Sequence, residues 1–226
     1  MNCDSIESKF PASREKGVAS AILMRPVDAK WLLVLGHGAS TNMRHGTLQS
    51  IAEKLAGAGI ATFRYNFPYS EVGGGRNSNA VCMKTIRAAV AAAYEAAGDL
   101  TILAGGHSFS GRMTSMATAD EPIEHVRGLV FFAFPLHGAD KPAIERAEHL
   151  SDVWLPMLFL SGTRDKLADL KLLKSVCKKL GGNATLHLLD TADHGFKVLK
   201  RSRKSDEDVF DEMARVVTEW VGTELS

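Results

Sequence analysis

The sequence predicts a single α/β domain, with a mostly parallel sheet of about seven strands and helices on both faces. From Val18 onward, short β-branched or apolar runs alternate with longer segments of helical periodicity, as in a parallel sheet wrapped by its own crossover helices. Most of the short runs are apolar throughout, as strands buried on both faces must be. Length agrees: 226 residues suit one domain at about 150 residues per domain, and a chain of this size buries roughly 70% of its surface on folding.

In order along the chain, residues 1–17 are an N-terminal extension that an edge strand could occupy, and strands are expected at 18–24, 31–36, 60–64, 100–104, 128–133, 156–160 and 185–189. Between them, apolar residues recur at helical spacing: Leu48, Ile51, Ala52 and Leu55; Ile86, Ala89, Val90 and Ala93; Leu170, Leu173, Cys177 and Leu180. The last helix carries Val209, Met213, Val216, Val217 and Trp220 on one stripe. Gly59 and the Gly181-Gly182 pair are helix stops, each followed by a new strand. Two segments read as long loops, 66–79 and 134–155, the second with room for one short helix but not for a lid domain. In such a sheet ligands bind beyond the carboxyl ends of the strands.

Composition narrows the function classes. Lys and Arg number 27 against 26 Asp and Glu, a net charge of +1, which argues against a strongly basic nucleic-acid binder. The longest nearly apolar run, 128–136, falls far short of the ~20 residues of a membrane span. The opening residues lack the charged-then-apolar order of a signal peptide. Cys3, Cys82 and Cys177 are odd in number and have no paired spacing, so neither a disulfide framework nor a zinc site is expected. The histidines at 45, 107, 125, 137, 149 and 187 show no metal-ligand spacing. The expectation is a cytoplasmic protein without metal or cofactor, acting on a small molecule rather than nucleic acid or membrane. The sequence carries no signal for oligomeric state.

The chemistry concentrates in LAGGHSFSG, residues 103–111, between a strand and a helix. That context is required of a nucleophile elbow, in which a serine stands in a strained turn and its neighbours are small. Ser108 is the candidate nucleophile and Gly106 the small residue two before it. Ser110 stands two after it, where the G-x-S-x-G pattern has glycine. A plain helix N-cap accounts for Ser108 equally in kind. Two later loops supply the partners a serine needs: Asp165, after strand 156–160, and His194, after strand 185–189, in the chain order Ser, acid, His. Asp165 could instead cap the helix that follows, with Asp169 or Asp193 as the acid. An oxyanion hole needs backbone N–H donors; Phe109 offers one, and LGHGAS, residues 35–40, another, at Ala39 with Ser40 as the alternative. His37 reads as a structural hydrogen-bonding residue. Asn66, Met43, Phe67, Tyr69, Phe109, Phe134, Leu136 and Phe196 are candidate substrate-binding walls, with core packing the competing reading of each. Arg146 and His149 are candidates to meet an anionic substrate, and Lys197, Lys200, Arg201, Arg203 and Lys204 to form a partner patch, with simple solvation the alternative.

The segments LGHGAS, RYNFPYSE, GGHSFSGRM, FFAFPLH, LFLSGTRDKL and DHGF together resemble small lidless α/β-hydrolases. They are similar in particular to the family holding a testis-expressed hydrolase-like protein and the regulatory subunit of the NSL histone-acetyltransferase complex, and more distantly to dienelactone hydrolases. The resemblance spans about residues 18–220. It implies an α/β-hydrolase fold, with nucleophile, acid and base at Ser108, Asp165 and His194. Ser110 and His107 depart from the family's usual glycine and basic residue, and dienelactone hydrolases use cysteine where this chain has Ser108. Two functions are therefore expected: a serine hydrolase of a small carboxylic ester or thioester acting through an acyl-enzyme, or a catalytically weak or silent hydrolase-fold interaction module.

Overall fold

A computed structural model describes residues 5–13, 17–139 and 141–225; Cys3 lies outside them. The strands are β1 (Ser5–Ser13), β2 (Gly17–Met24), β3 (Trp31–Gly36), β4 (Ile60–Tyr65), β5 (Thr101–His107), β6 (Val126–Phe132), β7 (Met157–Gly162) and β8 (Ala184–Leu189). The helices are α1 (Gly46–Gly57), α2 (Pro68–Glu71), α3 (Asn79–Ala97), α4 (Phe109–Asp120), α5 (Leu170–Leu180) and α6 (Val209–Glu224), with a 3₁₀ helix at Glu145–Asp152. The sheet runs β1-β2-β4-β3-β5-β6-β7-β8. From β4 to β8 neighbouring strands are parallel, whereas β1 and β2 pair antiparallel. This is the α/β-hydrolase fold that the motifs imply.

The continuous apolar runs occupy the centre. Every residue of β4 and β7 is buried, and β3 and β5 are buried after their first residue, because helices cover both faces. One face packs α3, α4 and α5 through Ile86, Ala89, Met113, Ala117 and Leu173 against Phe63, Phe131 and Phe159. The other packs α1 and α6 through Leu48, Ile51, Val217 and Trp220 against Leu33, Leu103 and Leu158. The 3.6-residue stripes read from the sequence are the buried faces of these helices.

Two elements differ from the sequence expectation, β5 and the segment 66–79, and the N-terminal extension forms the edge strand that it could hold. The eighth strand, β1, is polar along Ser5, Glu7, Ser8 and Lys9, and only Phe10 and Ala12 reach the core. An edge strand needs no more, and Pro11 is tolerated there because an edge has backbone positions without a ladder partner. Strand β5 continues to His107 instead of ending at 104, since Gly105 and Gly106 keep register with β3 and β6. Segment 66–79 includes the short helix α2, which opens on Pro68 at its first turn. Among the described residues no helix is long and apolar enough to cross a membrane.

The aromatic ring of Phe10 packs on Phe63 and Tyr65 at 6.2 and 6.4 Å between centroids, tying β1 to the core. Phe10→Ala is expected to destabilise the protein by about 3 kcal/mol, read as a lower urea midpoint at unchanged slope. A midpoint within error of the parent would show that β1 adds nothing to the core.

Candidate active site

Ser108 sits between the end of β5 and the start of α4 with φ 54° and ψ −111°, a backbone conformation that costs of order 1–3 kcal/mol and persists only where its surroundings enforce it. The enforcement is visible. Ser108 N donates to Phe132 O at 2.8 Å, and Arg112 N donates to Ser108 O at 3.2 Å, so sheet and helix hold the residue from either side. A Cβ at Gly106 would press on Ser110 Oγ and stand 2.6 Å from Gly36 O, and one at Gly36 would stand 2.5 Å from Ser110 Cβ. The serine that replaces the expected glycine at 110 is thus housed in the space that Gly36 and Gly106 leave open, where its hydroxyl donates to His107 O at 3.2 Å.

The Ser108 hydroxyl makes no capping bond to α4. It lies 2.8 Å from His194 Nε2, while His194 Nδ1 lies 2.8 Å from Asp165 Oδ2. A carboxylate accepts, so Nδ1 carries the ring proton and Nε2 is left to accept from the serine. Asp165 is fully buried, with Oδ1 accepting from Leu167 N at 2.8 Å, and the imidazole is 26% exposed. The two alternative acids are engaged elsewhere. Asp169 caps α5 through Lys171 N and Leu172 N, and Asp193 braces its own loop by accepting from Gly195 N and Lys197 N. Ser108, His194 and Asp165 are therefore brought together as one hydrogen-bonded chain, each from the carboxyl end of a different strand.

Phe109 is the first residue of α4, and the first N–H groups of a helix have no partner within it. Ala39 lies in the loop after β3, half-buried, with Ser40 exposed beside it. His37 stabilises that loop. Its Nδ1–H donates to Gly38 O at 2.7 Å, and its Nε2 accepts from Phe67 N at 3.2 Å. Desolvation pushes the His37 pKa down to about 4.

Sequence reasoning assigned no role to His107, which proves to clasp the histidine loop. Its Nε2–H donates to the backbone carbonyl of His194 at 3.1 Å, and its ring packs on those of His194 and Phe196. Burial again lowers its pKa to about 4. The only sequence signal was adjacency to Ser108.

The expected walls need correction. Tyr69 lines a cleft of about 500 Å³ with Ala39, Ser40, Asn42, Gly74 and Arg76. Met43, Phe67, Phe134, Leu136 and Phe196 pack in the interior, while Phe109 lies under Arg76. Phe67 stacks beneath Tyr69; Phe134 lies against Phe131 and Phe159; Phe196 sits between His107 and Phe210; Leu136 is fully buried. Met43 is held inward by Asn66 Oδ1 and Arg64. Large apolar residues at strand ends gain more from the core than from a wetted wall. Arg76, which sequence analysis did not single out, borders the cleft and lies 4.9 Å from the Phe109 ring centroid. Among the described residues no cluster of His, Cys, Asp and Glu is arranged to hold a metal.

The sequence profile of the alpha/beta hydrolase domain matches residues 29–222. The chain belongs to that family. Solved structures agree in fold. A dienelactone hydrolase from Anabaena variabilis superposes with a TM-score of 0.75 at 17% identity, over 98% of each chain. A lidless α/β serine hydrolase from Xanthomonas campestris gives 0.74 at 18%, over 98% of this chain and 95% of the other. The esterase domain of a Rhodothermus marinus protein gives 0.68 at 17%, over 96% and 98%. Among the described residues of this α/β-hydrolase no large lid domain covers the strand ends, and the Xanthomonas hydrolase is likewise described as lidless.

Two buried imidazoles held near 4 make this hydrolase fold sensitive to acid. An unfolded histidine titrates near ~6.5, so as pH falls the unfolded chain takes up both protons before the folded one does. Stability is then full above that value and declines as pH drops toward 4. Between pH 6.5 and 5, above the range of ordinary carboxylates, His37 and His107 together should cost about 3 kcal/mol, measured by urea unfolding. Half-buried His149, also lowered to about 4 by desolvation, adds to the same loss. A flat stability across that window would overturn the assignment of both rings as buried and neutral.

Proposed function

We propose that the protein is a serine hydrolase that cleaves a small carboxylic ester or thioester through an acyl-enzyme on Ser108. The hydrogen-bonded chain Ser108–His194–Asp165 at a strained elbow is the observation that carries the reading. Ser108 Oγ attacks the substrate carbonyl as its proton passes to His194 Nε2, and Asp165 holds the imidazole in the tautomer that accepts it and stabilises the imidazolium. The N–H groups of Phe109 and Ala39 receive the oxyanion. His194 then protonates the departing alcohol or thiol, the ester bond breaks, and a water activated by the same imidazole releases the acid and restores the serine. The sequence resemblance to the testis-expressed hydrolase-like subfamily fits this reading. So do the buried, unpaired thiols of Cys82 and Cys177, which suit a cytoplasmic setting.

A fluorophosphonate tests the reading without a known substrate, because stoichiometric labelling needs nucleophile, base and oxyanion donors at once. One adduct per chain is expected at Ser108, absent in Ser108→Ala and much slower in His194→Ala. A folded wild-type protein that takes no adduct would refute the hydrolase and favour an interaction module.

Asp165→Asn is expected to lower ester turnover by about 10⁴, because an amide can donate to the ring and favour the wrong tautomer, while Asp169→Asn affects helix stability and leaves turnover within a few fold. The opposite ranking would move the acid to Asp169. Because most of the large apolar residues near the strand ends are spent on core packing, esters with acyl chains of roughly two to six carbons should outpace longer ones, since each further CH₂ gains ~0.8 kcal/mol only where an apolar wall receives it. Faster hydrolysis of twelve-carbon than of four-carbon esters would refute this.

A further inference from the structure

Three arginines, close enough to act on one another, gather near the start of α4. Arg112 lies one helical turn beyond the serine on α4, its N–H bonded to Ser108 O. Arg76 arrives from the loop after α2 and lies over the Phe109 ring. Arg146 comes from the 3₁₀ helix, anchored by one guanidinium N–H to His137 O at 3.0 Å. Among the described residues, none of the three has a carboxylate within ion-pair distance, whereas Arg25, Arg44, Arg87, Arg203 and Arg215 each do. Arg112 is half-buried, and its Nε is fully buried without a hydrogen-bond partner. Burial, and after it the positive charges of Arg146 and Arg76, push its pKa below the ordinary guanidinium value. Beside Arg76 the Tyr69 hydroxyl is likewise buried and unpartnered, and burial raises its pKa, so it stays a donor.

Like charges crowded together, with donors left unpaired, are unfavourable in the free protein. Such an arrangement is relieved by an anion, and guanidinium forks match the oxygens of carboxylate and phosphate. The cleft that Arg76 borders also contains Ala39, one of the two proposed oxyanion donors, and Phe109, the other, lies under Arg76. An anion held here stands beside the scissile bond rather than at a remote surface.

We propose that Arg76, Arg112 and Arg146 form an anion-recognition site and that the substrate is an ester or thioester bearing an oxyanionic group, a carboxylate or a phosphate, near the reacting carbonyl. The proposal rests on the serine-hydrolase reading and specifies its substrate class. It gives Arg146 a role in binding, and adds two residues that the sequence did not point to.

The test compares 4-nitrophenyl hemiglutarate with 4-nitrophenyl butyrate, and the butyrate ester of 4-hydroxyphenyl phosphate with phenyl butyrate. The anionic member of at least one pair should have the higher kcat/KM by on the order of tenfold, and which pair shows it distinguishes carboxylate from phosphate. In Arg112→Gln and in the exposed-residue variant Arg76→Gln, that ratio should collapse toward one, mainly through KM. Lys30→Gln, which removes a charge at the opposite end of the sheet, should leave the ratio unchanged. Glutarate or inorganic phosphate should also slow fluorophosphonate labelling of the wild-type protein relative to chloride at equal ionic strength, a readout that requires no ester turnover. Labelling that proceeds equally with and without these anions, or ratios near one in the wild type, would overturn the anion site while leaving the serine hydrolase standing. Failure to label at all would overturn the hydrolase reading, and this proposal with it.

Discussion

The backbone of Ser108 is held in a conformation that a serine does not choose, and much of the molecule is arranged to keep it there. Its strand, β5, lies between β3 and β6 in the middle of the sheet, where hydrogen bonds on both sides prevent the turn from relaxing. Helix α4 begins immediately and takes the serine carbonyl as its first acceptor. A tight turn of this kind forces the chain before and after it into near contact, so the positions around it are restricted by volume before chemistry enters. Ser110 shows the restriction solved in an unusual way. A side chain occupies the space on the helix, and Gly36 and Gly106 on the facing strands leave room for it. The three positions behave as one packing unit, and a change at any of them is felt by the other two.

Around that elbow, the loops are stabilised by polar groups whose bonds are satisfied locally. His37 fastens the loop after β3 to the start of α2. His107 fastens the loop that carries His194, and Asp193 closes the same loop from within. Asp165 is fixed by Leu167 N before it meets the imidazole. Each histidine that acts as a brace is buried and its pKa lowered, so it does not add positive charge where the reaction would place it. Preorganisation of this sort lets donors and acceptors keep their positions while charge develops, which is where electrostatic catalysis gains its advantage over water.

The arginines near the start of α4 are electrically different. Among the described residues Arg76, Arg112 and Arg146 have no carboxylate partner, and the protein accepts a half-buried guanidinium with an orphaned Nε. Some cations elsewhere are paired: Glu212 lies between His187 and Arg203, and Arg215 bridges Glu207 and Glu219. The three arginines near the elbow thus leave a local demand for negative charge that the near-zero net charge conceals.

What the sequence determined by itself was the part governed by local pattern. Apolar runs and 3.6-residue stripes located seven strands and the principal helices because burial on one or both faces repeats along the chain. The nucleophile elbow was legible because so sharp a turn from strand to helix demands small residues on both sides of its serine, and that demand is written in consecutive positions. The order of serine, acid and histidine at successive strand ends located Asp165 and His194. Tertiary structure decided the rest, because it turned on which atoms meet. Asp169 and Asp193 resembled Asp165 until their carboxylates were seen bonded to neighbouring backbone N–H groups. Phe67, Phe134, Leu136 and Phe196 read equally well as pocket or core, and the core took them because a ring loses more by facing water than by packing against another ring. Strand β1 was legible only as an edge strand that the extension could hold, because just two inward residues, Phe10 and Ala12, anchor an edge that is otherwise polar. The clasp of His107 and the unpaired state of Arg112 had no sequence signature, since a partner, or the lack of one, is a property of space and not of spacing.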